Sequence, residues 1–517
     1  MRYSMSSSTV YDDVKHPELV IGLVGPIGVD MDNVQEALFN ALKHVNYDSH
    51  LVHITKLIDR YRKESENGKL YSDLKEKISE ANTFCKTANN GAALAGLAIK
   101  EISEYRRSKQ KVASGGDEDS VVPAIPKQAY IIRQLKRRDE VELLRTLYGD
   151  KFIQVSVFLE KESRIRNLET RIGAARPDLK HHRCQKEAIE LIDIDEFEEG
   201  QDFGQQVGDI FHLGDYFVDG GDKAQLASKT IHFVRALFGD NAKSPDCDEF
   251  GAFMASSASL RSVDLSRQVG AAITTPQGDI ISVGCNEVPK AGGGNYWFTD
   301  PDKARDIERG NEQNSIEKKR IIVDFLTQLQ REGVVESSLD LTATEVLEKL
   351  SSAAENALIS DITEYGRMTH AEMTAICDAA RLGRSLQDAT IYVTTFPCHN
   401  CAKHIVASGI KRVVFIEPYP KSKASSSHFD SISIDGAEKG RVKFQHFEGI
   451  SPKRYAEIFR KGKRKRNGAV VDWFFGEPRP MLAQRDNLHV AREPNAILST
   501  LGQFMQQLVV DETTDSD

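Results

Sequence analysis

His370 and Glu372 stand two residues apart in "MTHAEMTAICDAARLG", and Cys398 and Cys401 stand three apart in the following "TTFPCHNCAKHIVASGIKRVVF". One imidazole and two thiols form a ligand set for zinc, which in reactive sites takes three N or S donors, at roughly 2.0 Å for nitrogen and 2.3 Å for sulfur, and keeps a fourth position for water. Two cysteines at i and i+3 in the first turn of a helix point the same way, and the positive end of the helix dipole favours their thiolates. Glu372 cannot easily share the ligand direction of His370. It can reach the fourth position, where a carboxylate takes a proton from an activated water and passes it on.

These residues need elements to place them. The spacing predicts a helix opening at His370, the strand "ATIYVTT", a second helix opening at the cysteines and the strand "RVVFIEP". Upstream, "QVGAAITTPQGDIISVGCNEVP" reads as two alternating runs joined at Pro-Gln-Gly-Asp, a hairpin. The front of the chain opens on "ELVIGLVGPIG", an apolar run closed by glycines, as in a buried parallel strand entering a tight turn, and "MDNVQEALFNALKHV" after it has helical spacing. The runs "AYIIRQL" and "KFIQVSVFL" flank the helical "DEVELLRTLYG", so the front half alternates strand and helix as α/β domains do. The expected division is a polar tail at 1–16, a first domain at 17–243, a second at 249–480 with a charged helical insertion at about 302–358, and a C-terminal extension at 481–517.

A length of 517 residues suits two principal domains, and a net charge of −9 gives no overall basic field of the kind nucleic-acid binders carry. Seven cysteines at irregular spacing point to a reducing compartment with thiols free or on metal. With neither a signal-peptide core nor a run of about 18 apolar residues, the expected location is cytoplasmic, without a membrane.

The order H-x-E then P-C-x-x-C, with Pro397 before Cys398, is the signature of zinc nucleobase deaminases. A lone C-x-x-C is as often a redox pair or half of a structural zinc site. The stretches "HAEMTAICDAARLG" and "ATIYVTTFPCHNCAKHIVASGIKRVVFIEPYPKS", with "SVDLSRQVGAAITTPQGDIISVGCNEVPKAGGG" upstream, resemble the CMP/dCMP-type deaminases over about 250–435. That resemblance implies a three-layer α/β/α domain around a mixed sheet, zinc on His370, Cys398 and Cys401, Glu372 as proton shuttle, and hydrolysis of a cytosine amine. It also implies Asn286 on the sugar hydroxyl and Arg267 facing phosphate, with Ala371, Tyr419 and Lys421 as further substrate contacts. Cys285 departs from the pattern, since an aromatic is common there. Cys377 is expected to be a buried structural thiol, and His399 and His404 receive no role.

In the front half, "GLVGPIGVDMD" resembles the phosphate loop of nucleotide kinases. Gly25 and Gly28 are kept, but Met31 stands at the lysine position, Asp32 at the magnesium-holding Ser or Thr, and Asp30 adds negative charge. Arg133 ends its strand where a magnesium-holding carboxylate is expected. Phosphoryl transfer consists mostly of positioning and charge neutralisation, so the expectation is a kinase-like parallel sheet that transfers no phosphate. A degenerate domain of this kind ahead of a dCMP-type domain resembles the bacterial anti-phage dCTP deaminases. Membership there implies conversion of dCTP and dCMP to the uracil forms, depletion of dCTP during infection, and restraint by a small RNA or release by a phage-derived trigger; deaminases of this fold also commonly assemble as homo-oligomers. Two other readings stand beside it: a deaminase acting on cytosine or adenine within a nucleic acid, kept open by the basic run at 460–466, and a regulatory RNA- or partner-binding protein with a structural zinc site.

Overall fold

The computed structural model describes residues 14–59, 74–114, 122–177, 180–196, 198, 203–336, 344–355, 357–362, 364–419, 421–434, 438–483 and 486–514. The chain forms two compact units, one from residues 1–249 together with 448–517, the other from 250–447. Both are α/β. The outer ends of the expected tails, 1–13 and 515–517, lie outside the described residues.

In the first unit five strands lie parallel: β1 (Leu19–Val24), β2 (Asp48–His53), β3 (Gln128–Leu135), β4 (Phe152–Phe158) and β5 (Tyr216–Asp219), in the order β2-β3-β1-β4-β5. Successive side chains of a strand point to opposite faces. In β1, Leu19, Ile21 and Leu23 therefore enter one core while Val20 and Val24 enter the other, which explains a run apolar at nearly every position. The helices used below are α1 (Met31–Lys43), α2 (Ala93–Ser114) and α3 (His181–Glu196).

The domain division departs from the sequence expectation. The second unit ends at Phe447 rather than at 480, because the chain then rejoins the first sheet. Gly449–Ile450 pairs antiparallel with β5. Arg454, on the helix Pro452–Ile458, donates to the Asp215 carboxylate at 3.2 Å and to the carbonyl of Phe152 at 3.1 Å. The helix Leu488–Thr514, expected as an extension, belongs to the first unit too: the Arg106 guanidinium of α2 reaches Glu493 on it at 2.7 Å. A strand of two residues and ion pairs between residues hundreds of positions apart leave no periodicity to read.

The second unit is a mixed sheet ordered β10-β11-β9-β8-β6-β7, built from β6 (Gly270–Thr274), β7 (Ile280–Cys285), β8 (Thr390–Thr395), β9 (Arg412–Glu417), β10 (Ile432–Ile434) and β11 (Val442–His446). β6 and β7 form the expected antiparallel hairpin, β6 also runs antiparallel to β8, and the rest are parallel. Three helices bear on the site: α4 (Gln313–Arg331) from the insertion, α5 (Ala371–Arg381) and α6 (His399–Ala407). Ala371, Ala375 and Ala379 turn one small-residue stripe of α5 onto the sheet, with Ile273, Ile391 and Val393 beneath. Gly284 lets α5 come this close, since a Cβ there would lie 2.2 Å from the carbonyl oxygen of Ala371. Cys377 faces outward and is exposed, correcting the expectation of a buried thiol: it sits two residues past Ala375, off the buried stripe.

Candidate metal centre and its cavity

His370 and Cys398 occupy equivalent places. Each is the extended residue that precedes the first turn of its helix, His370 before α5 and Cys398 before α6, while Glu372 and the buried Cys401 lie within those first turns. The two helix starts meet, so that His370 Nδ1 is 3.4 Å from Cys398 Sγ and 3.3 Å from Cys401 Sγ, and the three donor atoms all lie within 4.8 Å of one another. Among the described residues this is the one cluster of three or more such side chains arranged to hold a metal ion.

On their own the three donors share protons. The Cys401 thiol, assisted by His370, holds Cys398 down to about 4, against the burial that opposes it. Cys398 in turn pushes His370 up to about 9 and raises Cys401 well above the ordinary thiol range. One imidazole and two sulfurs beside two helix N-termini form the donor chemistry that zinc prefers, and the set fits that ion. Burial pushes the Glu372 carboxyl above the usual range, with the neighbouring His370 working against it.

His370, Glu372 and Cys398 open onto a cavity of about 300 Å³. Every substrate contact expected from the sequence lines it: Arg267, Asn286, Ala371, Tyr419 and Lys421. Asn286 is already engaged, however. Its Nδ2 donates to Asp264 Oδ2 and to the carbonyl of Arg267, both at 2.7 Å, and its Oδ1 accepts from the amide of Val269 at 2.8 Å. The amide thus fastens the 264–269 segment, and the group it presents to the cavity is the Asp264 carboxylate. Arg267 forms an ion pair with Glu417 at the cavity rim. His399 also lines the cavity, within 3.5 Å of Glu364, whereas His404 lies on the exposed face of α6.

The lining residues that the sequence reading missed include the polar Asp264, Glu312, Asn314 and Lys423. Lys423 had a faint signal, as the second lysine in "KSK" after Lys421. Glu312 and Asn314 come from the start of the insertion, where charged helical sequence gives no hint of a cavity-facing turn.

Several hydrogen-bonding groups of the front loop are engaged by the protein itself, beside a cavity of about 240 Å³ that Ile27, Gly28, Lys136 and Asp195 help to line. Asp195 of α3, only 1% exposed, accepts from the amide of Ile27 at 2.7 Å and from Lys136 Nζ at 2.7 Å, and the same ammonium donates to the carbonyl of Gly25 at 2.8 Å. Asp30 caps α1, accepting from the amides of Asp32 at 3.0 Å and Asn33 at 3.4 Å. Arg133 pairs with Asp32. Gly28 has φ +95° and its backbone lies against Arg164, and Gly25 admits the Met31 side chain where a Cβ would clash. Backbone N–H groups and a lysine, the parts that cradle phosphate in nucleotide-binding loops, are here directed at two internal carboxylates.

Residues 246–417 match the family model described as the cytidine and deoxycytidylate deaminase zinc-binding region, so the chain carries that zinc-binding region over this span. The deoxycytidylate deaminase of Enterobacteria phage T2 is 45% identical over 82 residues, covering 16% of this chain and 43% of the relative. The deoxycytidylate deaminase of Homo sapiens is 32% identical over 127 residues, covering 25% of this chain and 58% of the relative. The chain thus spans less than two thirds of these relatives. Among solved structures, the apo dCMP deaminase of cyanophage S-TIM5 is 16% identical, covering 39% of this chain and 98% of that one at a TM-score of 0.22. No helix among the described residues is long and apolar enough to cross a membrane.

Proposed function

We propose that this protein is a zinc-dependent hydrolase of deoxycytidine nucleotides, converting dCMP and dCTP to dUMP and dUTP with release of ammonia. The observation that carries the reading is the meeting of His370, Cys398 and Cys401 at one end of a cavity that also holds the buried Glu372. Zinc held by those donors would lower the pKa of a water and so supply a nucleophile at neutral pH. Glu372 takes one proton from the attacking water and hands it to N3 of the cytosine ring, then takes the proton of the new C4 hydroxyl and hands it to the departing 4-amino group, ending as it began. The sum is cytosine plus water to uracil plus ammonia. The amide of Ala371, the first in α5 and without a partner inside the helix, is available to the base carbonyl. Arg267, Lys421 and Lys423 supply positive charge for phosphate.

The likeness to anti-phage dCTP deaminases supports a role in depleting dCTP during infection, with the first unit as scaffold or sensor for a small RNA or phage-derived trigger, and assembly into homo-oligomers. The engagement of the loop's amides and of Lys136 by the chain's own carboxylates supports a first unit that does not transfer phosphate. Deamination within a nucleic acid is the weaker alternative, since the basic run at 460–466 that keeps it open is a charge run of the kind that usually forms a solvated face. The deciding experiment incubates zinc-loaded protein with dCMP, dCTP, deoxycytidine and a cytosine-bearing oligonucleotide and follows ammonia, with Glu372→Ala as control. Turnover of the free nucleotides supports the reading. Turnover of the oligonucleotide alone favours the alternative, and no turnover with zinc bound leaves a structural site.

A further inference from the structure

Asn314 is the second residue of α4, in the inserted segment, and only 5% of it is exposed. Its Nδ2 donates to the carbonyl of Ile362 at 2.9 Å, which fixes which end of the amide is which, because a carbonyl can only accept. Its Oδ1 is buried and has no hydrogen-bond partner among the described residues, and the residue is one of those that line the cavity of the metal centre. Buried acceptors in native proteins are nearly always satisfied, so one left open at a ligand cavity asks for a donor from the ligand.

Resting on the deaminase reading for the identity of the nucleotide, we propose that Asn314 is a specificity-determining residue whose Oδ1 accepts a hydrogen bond from the sugar 3′-hydroxyl. A deoxycytidine nucleotide offers two donors, the 4-amino group and the 3′-hydroxyl. The amino group must lie at His370, Cys398 and Glu372, where it leaves, so the hydroxyl remains for Asn314. The surroundings agree. Asp264 and Glu312 line the same cavity and are close enough for each charge to act on the other, and with Asn314 they form an acceptor-rich wall unsuited to phosphate or to the base carbonyl. Phosphate is left to the cations Arg267, Lys421 and Lys423. Asn286, whose amide hydrogens are both engaged, acts as a positioning residue that holds Asp264 in this wall.

The test uses the zinc-loaded full chain and calorimetric binding of dUMP against 2′,3′-dideoxyuridine monophosphate, with ammonia release from dCMP followed in parallel. Wild type is expected to bind dUMP about tenfold more tightly than the dideoxy analogue, one hydrogen bond's worth. Asn314→Ala and the shape-preserving Asn314→Leu should bring that ratio below about threefold. Equal binding of the two ligands by wild type, or an undiminished ratio in a folded variant that weakens both alike, overturns the role of Asn314. Turnover of dCMP with no discrimination sinks this inference alone and leaves the deaminase reading standing. Discrimination lost in the variants without any turnover in wild type supports the sugar contact and sinks the reaction, while no binding of either nucleotide overturns the inference.

Discussion

Arg106 is 1% exposed and lies between two carboxylates. Its Nε and Nη2 donate to Glu18 at 3.1 and 2.9 Å, and Nη1 and Nη2 donate to Glu493 at 2.7 and 3.0 Å, so each pair is a two-bond fork. Replacing Arg106 by Met keeps most of the volume and removes both forks. Glu18 would still accept from the amide of Ile125, the hydroxyl of Tyr130 and His489, whereas Glu493 would keep the hydroxyl of Tyr148. Breaking a buried ion pair from one side costs about 3–5 kcal/mol, and the upper part of that range is expected here because two carboxylates lose their cation together. Equilibrium urea unfolding of the first unit's transition, with the metal centre loaded throughout, measures the loss. The pH profile supplies a second reading. Burial alone would raise the Glu18 carboxyl, but hydrogen bonds from His489 and Arg106 outweigh it and hold the group at about 2. With an unfolded value near ~4.3, this carboxylate contributes about 3 kcal/mol of stability that is fully present above ~4.3 and is lost as pH falls toward 2. In Arg106→Met that acid-side slope should shrink. A loss below about 1 kcal/mol with an unchanged slope would refute the reasoning.

Glu372→Gln keeps the shape of the side chain and removes the proton carrier, so ammonia release should fall about 10²–10⁴-fold while elemental analysis still finds zinc as in wild type. Cys401→Ala removes one of three donors and should lose the metal itself, seen by the same analysis together with a fall in the melting temperature. Lys423, exposed at the cavity and without a side-chain partner among the described residues, should act on phosphate; in Lys423→Ala the KM for dCMP should rise several-fold with little change for deoxycytidine. Asp195→Ala frees the amide of Ile27 and the ammonium of Lys136. Pyrophosphate, for which calorimetry should find no site on the wild-type loop, should then bind measurably to the variant.

The parts of the molecule that were legible in the sequence are those whose cause is local. The apolar run at 19–24 announced a strand buried on both faces, the Pro-Gln-Gly-Asp turn announced the β6–β7 hairpin, and the spacing of His370, Glu372, Cys398 and Cys401 announced two helix starts with converging donors. The rest depends on partners far away along the chain. Asp195 reaches the front loop from 168 residues on, so the loop could be read as lacking a cation but not as holding a carboxylate of its own. Asn286 could be placed at the cavity, yet its engagement with Asp264 shows only when the 264–269 segment folds back on it. Asn314 sits in a stretch whose charge pattern fits any exposed helix.

The return of the chain at Glu448 means that the second unit interrupts the sequence of the first. During synthesis Glu18 and Arg106 emerge early, but Glu493 emerges only after the whole second unit has left the ribosome. At ~5–20 residues per second the interval between Glu249 and Glu493 is on the order of ten to fifty seconds. Through that time Arg106 lacks one of its two carboxylate partners, whereas the second unit has every residue it needs once Phe447 has been added. The second unit can therefore mature first, and the first is completed last, by residues that follow the second in the chain.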